Sequence, residues 1–271
     1  MILHAIDFVY DGKHLSDFGF VLCHFSEPSS PDIVSAGSQI TFDTVSTRNG
    51  KYYSLTGSHY DECLSATFDI CRNPCSTSSP EITSSEYREL VRWLNRKQFL
   101  QFGCIDPNTD SIPFYCDGTF NIQKIFIDGF LYGLELTLTT NRPFCYGEQI
   151  SKSFNITTSN STITIDNESD ETGYLYPDIS ITCNSTGDLS IENTTADCSM
   201  IIRNCSSGEK ITQYGDSQII TSSLDSHELY DDFNFSFLRL TRTYDNMSNS
   251  IKVSLPCSLS ISYYPIIKES M

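Results

Sequence analysis

The alternation of hydrophobic and polar residues along the chain predicts a protein built mainly of short β-strands. In the first half, period-two alternation indicates strands near residues 6–10, 18–22, 40–45, 63–73, 99–104, 112–127 and 130–140. Asn49-Gly50 and Asp128-Gly129 are typical hairpin turns. Residues 26–38 are rich in proline, serine and glycine and predict a loop or an extended arm.

One stretch, residues 80–103, has the signals of an amphipathic helix. Thr83 and Glu86 have the spacing of a capping box, and Ile82 and Tyr87 occupy the positions of a hydrophobic staple. The helical pattern ends near Lys97, where a cation suits the C-terminus. This is the one convincing helix that the sequence indicates.

The apolar positions of this predicted helix recur at i, i+3, i+4 and i+7, so that one face is hydrophobic. They are Tyr87, Leu90, Val91 and Leu94, with Trp93, the single tryptophan, at the edge of the stripe. A lone amphipathic helix must cover its face, and only sheets are available here. We therefore expect the helix to pack on a sheet with the Trp93 edge towards it.

The composition changes within residues 146–151, where the helical period is lost and asparagine, serine and threonine increase. We place the domains at residues 1–148 and 149–271. The second half shows about ten short alternating strands, the pattern of a β-sandwich. One of them is predicted to present Phe233, Phe235 and Phe237 and to shift phase towards Leu240 through a bulge.

The charge and the cysteines limit the classes of function. A net charge of −17 without clustered lysine and arginine argues against specific nucleic-acid binding and against an anionic membrane surface. Neither a signal peptide nor a transmembrane segment is recognisable, so we expect folding in a cytoplasm. The eleven cysteines are then expected to be mostly reduced thiols in the core, although their redox state stays open.

No catalytic constellation can be identified, and we predict neither an enzyme nor a cofactor. Nucleotide-binding glycine loops and a nucleophile elbow are absent, and the five histidines are scattered. Cys71 and Cys75 are the tightest cysteine pair but lack a second pair with zinc spacing. Cys104 and Cys116 flank a predicted turn, which favours neighbouring core thiols.

Three further patterns resemble binding or modification sites. Asp166, Glu168 and Asp170 match the start of a calcium loop, but Glu171 and Pro177 stand where glycine and glutamate are needed, so a solvated hairpin loop is expected. The eight N-x-S/T triplets, such as that at Asn155, follow from the abundance of these residues. Tyr263 and Tyr264 could line a sugar site, although strand tyrosines usually pack in the core or at an edge.

The order of these elements resembles the distal tail protein family (Dit-like, a tail hub component) of long-tailed, non-contractile bacteriophages. The opening FVYDGKHLSDFGFVLC, the helix SSEYRELVRWLNRKQFLQF and the closing FIDGFLYGLELTLTTNRPFCYG are similar to its first domain. YPDISITCNSTGDLSIEN, GEKITQYGDSQIITSS and CSLSISYYPIIK are similar to its second domain. The resemblance spans nearly the whole chain and carries no catalytic residue.

This resemblance implies a structural virion protein that is assembled in the host cytoplasm and resides at the tail tip. It implies a homo-hexameric ring made by the first domain and a galectin-like β-sandwich in the second. The ring would join the tail tube protein to tail-tip proteins, and DNA would pass through its channel. The acidic charge suggests a lumen that repels DNA. The alternative function is a carbohydrate-binding module or adhesin that uses the second domain.

Overall fold

The computed structural model describes residues 5–25, 39–47, 49–75 and 79–268, and it is mostly β-structure. The predicted loop at residues 26–38 lies outside this part of the chain. The described residues form two compact units. The first runs to Gly147 and also includes Ile267 and Lys268, and the second spans Glu148–Ile266.

The first unit contains most of the strands predicted for the first half. Its elements are β1 Asp7–Tyr10, β2 Lys13–His14, β3 Phe20–Cys23, β4 Ile40–Thr47, β5 Tyr52–Tyr60, β6 Ser65–Arg72, α1 Ser84–Leu94, β7 Leu100–Ile105, β8 Cys116–Ile127, β9 Phe130–Thr140 and β10 Cys145–Tyr146. Seven strands form an antiparallel sheet in the order β2-β1-β7-β8-β9-β6-β3. Strands β4 and β5 form a separate two-stranded ribbon.

The start of α1 has the capping box that the sequence predicts. The Thr83 side chain accepts a hydrogen bond from the Glu86 backbone N–H, and the Glu86 carboxylate accepts one from the Thr83 N–H at 2.8 Å. Arg72 lies 3.0 Å from the same carboxylate. Two otherwise unpaired donors of the first helical turn are thereby satisfied, which fixes where the helix begins.

Trp93 lies at one edge of the buried helix face and packs on the sheet, which confirms the orientation expected from the sequence. Its ring stacks on Phe18 at a centroid distance of 4.3 Å and on Phe8 at 5.8 Å. Its indole N–H donates to the Tyr10 carbonyl at 3.0 Å. Leu90 and Leu94 are buried beside it, whereas Tyr87 and Val91 are half-buried. The indole can be buried at this position because β1 provides both an apolar neighbour for the ring and a carbonyl for its N–H.

The second unit consists of two antiparallel sheets around one buried core. Its elements are β11 Ile150–Ile156, β12 Ser161–Asp166, β13 Gly173–Leu175, β14 Asp178–Cys183, β15 Gly187–Asn193, β16 Cys198–Cys205, β17 Lys210–Tyr214, β18 Ile219–Ser222, α2 Leu229–Asp232, β19 Leu240–Arg242, β20 Ser248–Val253 and β21 Cys257–Tyr263, and β22 is Ile266–Ile267. The sheet orders are β11-β21-β14-β17-β18 and β12-β20-β15-β16, with β13 paired to β19. Ile181 and Leu259 from one sheet and Ile191 and Val253 from the other belong to the same core.

The predicted strand through Phe233, Phe235 and Phe237 is wrong, and α2, which precedes it, was missed. Residues 234–239 are irregular, and regular pairing begins only at Leu240. Side-chain amides replace strand pairing here. The Gln213 amide donates to the Leu238 carbonyl at 3.1 Å and accepts from the Leu238 N–H at 3.2 Å. The phase shift in the sequence therefore reflects a segment held by buried side chains, not a bulged strand.

The acidic side chains Asp166, Glu168 and Asp170 are exposed to solvent, as the sequence predicts, but the residues between them are not. Asn167 and Ser169 are buried, while Glu168 between them is exposed. The Asn167 side chain accepts from the Ser169 N–H at 3.1 Å, and the Ser169 hydroxyl accepts from the Ile266 N–H at 3.1 Å. The strand-like alternation of burial thus continues past Asp166 and turns the polar residues inwards.

Replacing Trp93 by phenylalanine is expected to destabilise the chain. The smaller ring leaves a cavity and the Tyr10 carbonyl loses its buried donor, at a combined cost of about 2–3 kcal/mol. Denaturant unfolding of the full-length variant measures the loss. Arg88→Ala, on the exposed side of α1, is the control and should change the free energy of unfolding by less than about 0.5 kcal/mol. Equal stability of the two variants would contradict a stabilising role for the buried Trp93 ring.

Candidate functional site

The β4–β5 ribbon is the most exposed apolar structure of the first unit. Its register pairs Ile40 with Tyr60 and Ser46 with Tyr53, with a bulge between Asp43 and Thr44. Asn49 and Gly50 at its turn both have positive φ, as a tight hairpin turn requires. No other strand of the described chain pairs with β4 or β5.

Large hydrophobic side chains project from both faces of the ribbon. The register places Phe42, Leu55 and Tyr53 on one face, with exposures of 61%, 60% and 71%, and Val45 and Tyr52 on the other. An isolated two-stranded hairpin is marginally stable in water, and its unpaired edges can add further strands. The ribbon therefore has the properties of a surface that another chain covers.

The base of the ribbon is tied to the rest of the first unit. Tyr60 packs edge-on against Phe144 at a centroid distance of 4.6 Å, and Lys268 lies over its ring at 5.7 Å. His59 lies 3.3 Å from a carboxylate oxygen of Asp43 and 3.5 Å from one of Asp61. These contacts fix the direction in which the ribbon leaves the unit.

A second exposed apolar surface is the tip of the β8–β9 hairpin. Phe126, Ile127 and Phe130 surround the predicted Asp128-Gly129 turn and are about half exposed. Asp128 and Gly129 both have positive φ, which confirms the tight turn. The tip thus presents three apolar side chains on a rigid hairpin.

The buried cysteines each lie beside another cysteine, and none of the eleven is in a disulfide. Cys104, Cys116 and Cys145 are buried together, as expected for the Cys104–Cys116 pair. Burial raises the pKa of the Cys104 thiol to about 12, so its thiolate is not formed at neutral pH. Cys71 interacts with Cys23, whereas Cys75 is exposed in the following loop, so Cys71 and Cys75 do not act as a pair.

The other candidates from the sequence are not brought together into a site. Among the described residues, no cluster of three histidine, cysteine or acidic side chains could hold a metal ion. Tyr263 is buried, and its hydroxyl donates to the Asp166 carbonyl at 2.5 Å. Tyr264 is about half exposed.

One buried ionic cluster was missed by the sequence analysis. His227 Nδ1 lies 2.5 Å from the Glu209 carboxylate, which also accepts from the Ser222 hydroxyl at 2.5 Å and the Ser206 N–H at 2.8 Å. His227 Nε2 lies 3.3 Å from Asp232, in a geometry that is not a hydrogen bond. The cluster anchors α2 to β17 and β18. The available sequence signal was the segment SHELYDD, in which a serine followed by acidic residues is typical of the start of a helix.

The charges of this cluster are mutually stabilised. Burial alone would lower the pKa of His227, but the hydrogen bond and the charge of Glu209 raise it above its ordinary value of 6.5. Burial alone would raise the pKa of Glu209, but hydrogen bonds from Ser222, Ser206 and His227 lower it below 4.5. Both side chains are shielded from solvent, so we interpret the ion pair as one that stabilises the fold.

Neither helix of the described chain has the length and apolarity that crossing a bilayer would require.

Two family matches together span nearly the whole chain. Residues 3–142 match the phage tail protein N-terminal domain, and residues 144–263 match the phage tail C-terminal domain. The chain therefore belongs to this family of phage tail proteins. No curated protein matches its sequence significantly.

A solved structure shows the same fold. The chain is similar to the crystal structure of SPP1 Dit (gp 19.1), described as a paradigm of the hub adsorption apparatus in phages infecting Gram-positive bacteria. The match covers 96% of this chain and 98% of that one, with a TM-score of 0.65 and 13% identity. A more distant likeness, to the phage P2 baseplate in its activated conformation with Ca, covers 95% and 97% at a TM-score of 0.46 and 10% identity. The predicted resemblance to distal tail proteins is thus confirmed for the family and the fold.

The ionic cluster predicts how the stability of the second unit depends on pH. The raised pKa of His227 stabilises the fold at pH values below 6.5 and this contribution is lost as pH rises through the folded-state pKa. The lowered pKa of Glu209 stabilises the fold above 4.5 and is lost as pH falls through its folded-state pKa. The cluster should therefore contribute most between about 4.5 and 6.5.

The variant His227→Gln measures this contribution. We expect it to lower the free energy of unfolding by about 3 kcal/mol inside that window, because it leaves Glu209 buried without its cation, and by less at higher pH. Denaturant unfolding at a series of pH values tests this. His14→Gln, at a half-exposed position beside Asp7, is the matched control. A difference that does not vary with pH would refute the ionic role of His227.

Proposed function

We propose that this phage tail protein is the hub of the tail tip, a hexameric ring at the distal end that joins the tail tube to tail-tip or baseplate proteins. The exposed β4–β5 ribbon is the observation that carries the proposal. Membership of a phage tail family supports it. So does the fold shared with SPP1 Dit, a protein described as a hub. The role is structural and needs no catalytic residue.

The ribbon supplies the kind of contact that closes a ring. The ribbon of one copy packs on a different surface of the next copy, which is a heterologous interface, and such interfaces form closed rings when the rotation allows. No other strand of the described residues pairs with its edges, and its apolar faces offer area to bury. The edges and the faces would both be covered in the assembly.

The two parts of the chain have different roles in this proposal. Residues 1–148 make the ring, because the ribbon belongs to them, and residues 149–271 carry the galectin-like sandwich. The tip of the β8–β9 hairpin, with Phe126, Ile127 and Phe130 exposed, provides a further contact for a tube or tip protein. The net charge of −17 suits a channel through which DNA passes without binding. Assembly takes place in the host cytoplasm, and the ring ends in the virion.

The ring is tested by its mass and symmetry. Light scattering of the purified chain is expected to give about 180 kDa, which is six times 30.5 kDa, and electron microscopy should show a six-fold ring with a central channel. A chain that assembles only on its tail partner should form the ring when that partner is added. A stable dimer at all concentrations would contradict the proposal.

The ribbon is tested by the double variant Phe42→Ser and Leu55→Ser. Removing two exposed apolar side chains from one face should abolish the ring, because the loss of each central apolar side chain lowers the binding free energy of an interface by about 2 kcal/mol. Thermal unfolding should change little, because neither side chain packs in the core. Tyr244→Ser, at a position 91% exposed in the second unit, is the control and should leave the ring intact. A double variant that still forms rings would remove the ribbon from the interface.

A further inference from the structure

We propose that the second unit binds a single neutral pyranose residue of a glycan in a cleft where three loops meet. The cleft has a volume of about 340 Å³, within the usual range for small-molecule sites. We call it the loop cleft, and its lining residues are Tyr176, Asp197, Cys198, Ser199, Gln218, Phe235, Ser236, Phe237 and Arg239.

The loops that form the loop cleft are held in place by specific contacts. Asp197 lies in the turn before β16, Gln218 in the turn between β17 and β18, and Phe235 in the irregular segment after α2. The Arg239 guanidinium donates to the Ala196 carbonyl at 3.1 Å and stacks over the Tyr174 ring at 3.9 Å. The cleft is therefore a fixed feature of the fold.

Unusual backbone conformations concentrate at the loop cleft. Nine non-glycine residues of the described chain have positive φ, and seven of them are aspartate or asparagine, which tolerate it. The two exceptions are Gln218 and Phe235, with φ of 51° and 53°, and both line the cleft together with Asp197. Strained residues of this kind persist where the surroundings impose them, and they concentrate at ligand sites.

The strained conformation of Phe235 presents its ring to solvent. The ring is 59% exposed, although Tyr230 and Phe233 pack beside it at centroid distances of 5.3 and 5.5 Å. An aromatic face is electron-rich and attracts groups with partial positive charge, such as the axial C–H bonds of a pyranose. Phe235 therefore supplies a stacking platform at the edge of a polar cleft.

The polar groups around this platform suit a neutral polyhydroxyl ligand. Asp197 accepts hydrogen bonds, Gln218 both donates and accepts, and Ser199 and Ser236 bring hydroxyls. One carboxylate and one guanidinium balance each other, so the cleft attracts neither an anion nor a cation selectively. Sugar hydroxyls, which donate and accept, match this set.

An extended peptide fits the site less well than a sugar. Asn234 already occupies the neighbouring edge of β16: its side chain accepts from the Ile201 N–H at 3.0 Å and donates to the Ser199 carbonyl at 2.8 Å. A peptide strand could not pair there without displacing these bonds. The remaining space is a compact cleft and not a groove along an edge.

Saturation-transfer NMR on the full-length chain tests the proposal, with the methyl glycosides of glucose, galactose and N-acetylglucosamine as probes. At least one glycoside is expected to receive saturation, strongest at the ring protons that face Phe235. Phe235→Gly removes the ring while keeping a residue that adopts positive φ easily. It should weaken binding by about tenfold or more, as for other aromatic anchors, without lowering the unfolding temperature.

Two controls separate the loop cleft from other surfaces. Tyr244→Ala removes an exposed aromatic side chain elsewhere in the second unit and should leave binding unchanged. Gln218→Gly also permits positive φ and should weaken binding while leaving the fold intact. Absence of transfer to all three glycosides, or binding that Phe235→Gly leaves unchanged, would overturn the proposal. A ring that persists in Phe235→Gly would show that this site and the assembly are separate.

Discussion

The burial of one indole ring determines how the helix and the sheet of the first unit fit together. Trp93 is held between Phe8 and Phe18, and its N–H reaches the carbonyl of Tyr10, the last residue of β1. A shift of α1 by one residue would separate the buried indole N–H from its acceptor, which costs free energy. The helix is thereby fixed in its register along the seven-stranded sheet.

The parts of the fold that the sequence predicts are those in which local and global preferences agree. The β8–β9 hairpin combines long alternation with an Asp-Gly turn, and α1 begins at a capping box whose residues occur in order. Residues 234–239 show the opposite case. Their alternating phenylalanines favour a strand, but the Gln213 and Asn234 side chains take the backbone hydrogen bonds that a strand would use. Contacts between residues this far apart leave no local pattern.

The candidate sites were predictable only in part for the same reason. The sequence predicts the β4–β5 ribbon as a hairpin, but only the structure shows that its apolar side chains are exposed. One signal was available: Tyr52 and Tyr53 are adjacent in a strand and therefore face opposite sides, so both faces carry a large aromatic side chain. Glu209 and His227 are far apart among scattered charges. The loop cleft depends on the backbone conformation of Gln218 and Phe235, which no composition or spacing encodes.

The bulge between Asp43 and Thr44 has a consequence for which chains the ribbon accepts. A bulge adds a residue to one strand and increases its local twist. A flat strand from an unrelated protein cannot follow such an edge for its whole length, so its hydrogen bonds would break off at the bulge. A surface shaped to the same twist and offset can follow it. The bulge therefore restricts which strands can pair with the ribbon, and it disfavours pairing of this exposed apolar hairpin with strands of unrelated proteins.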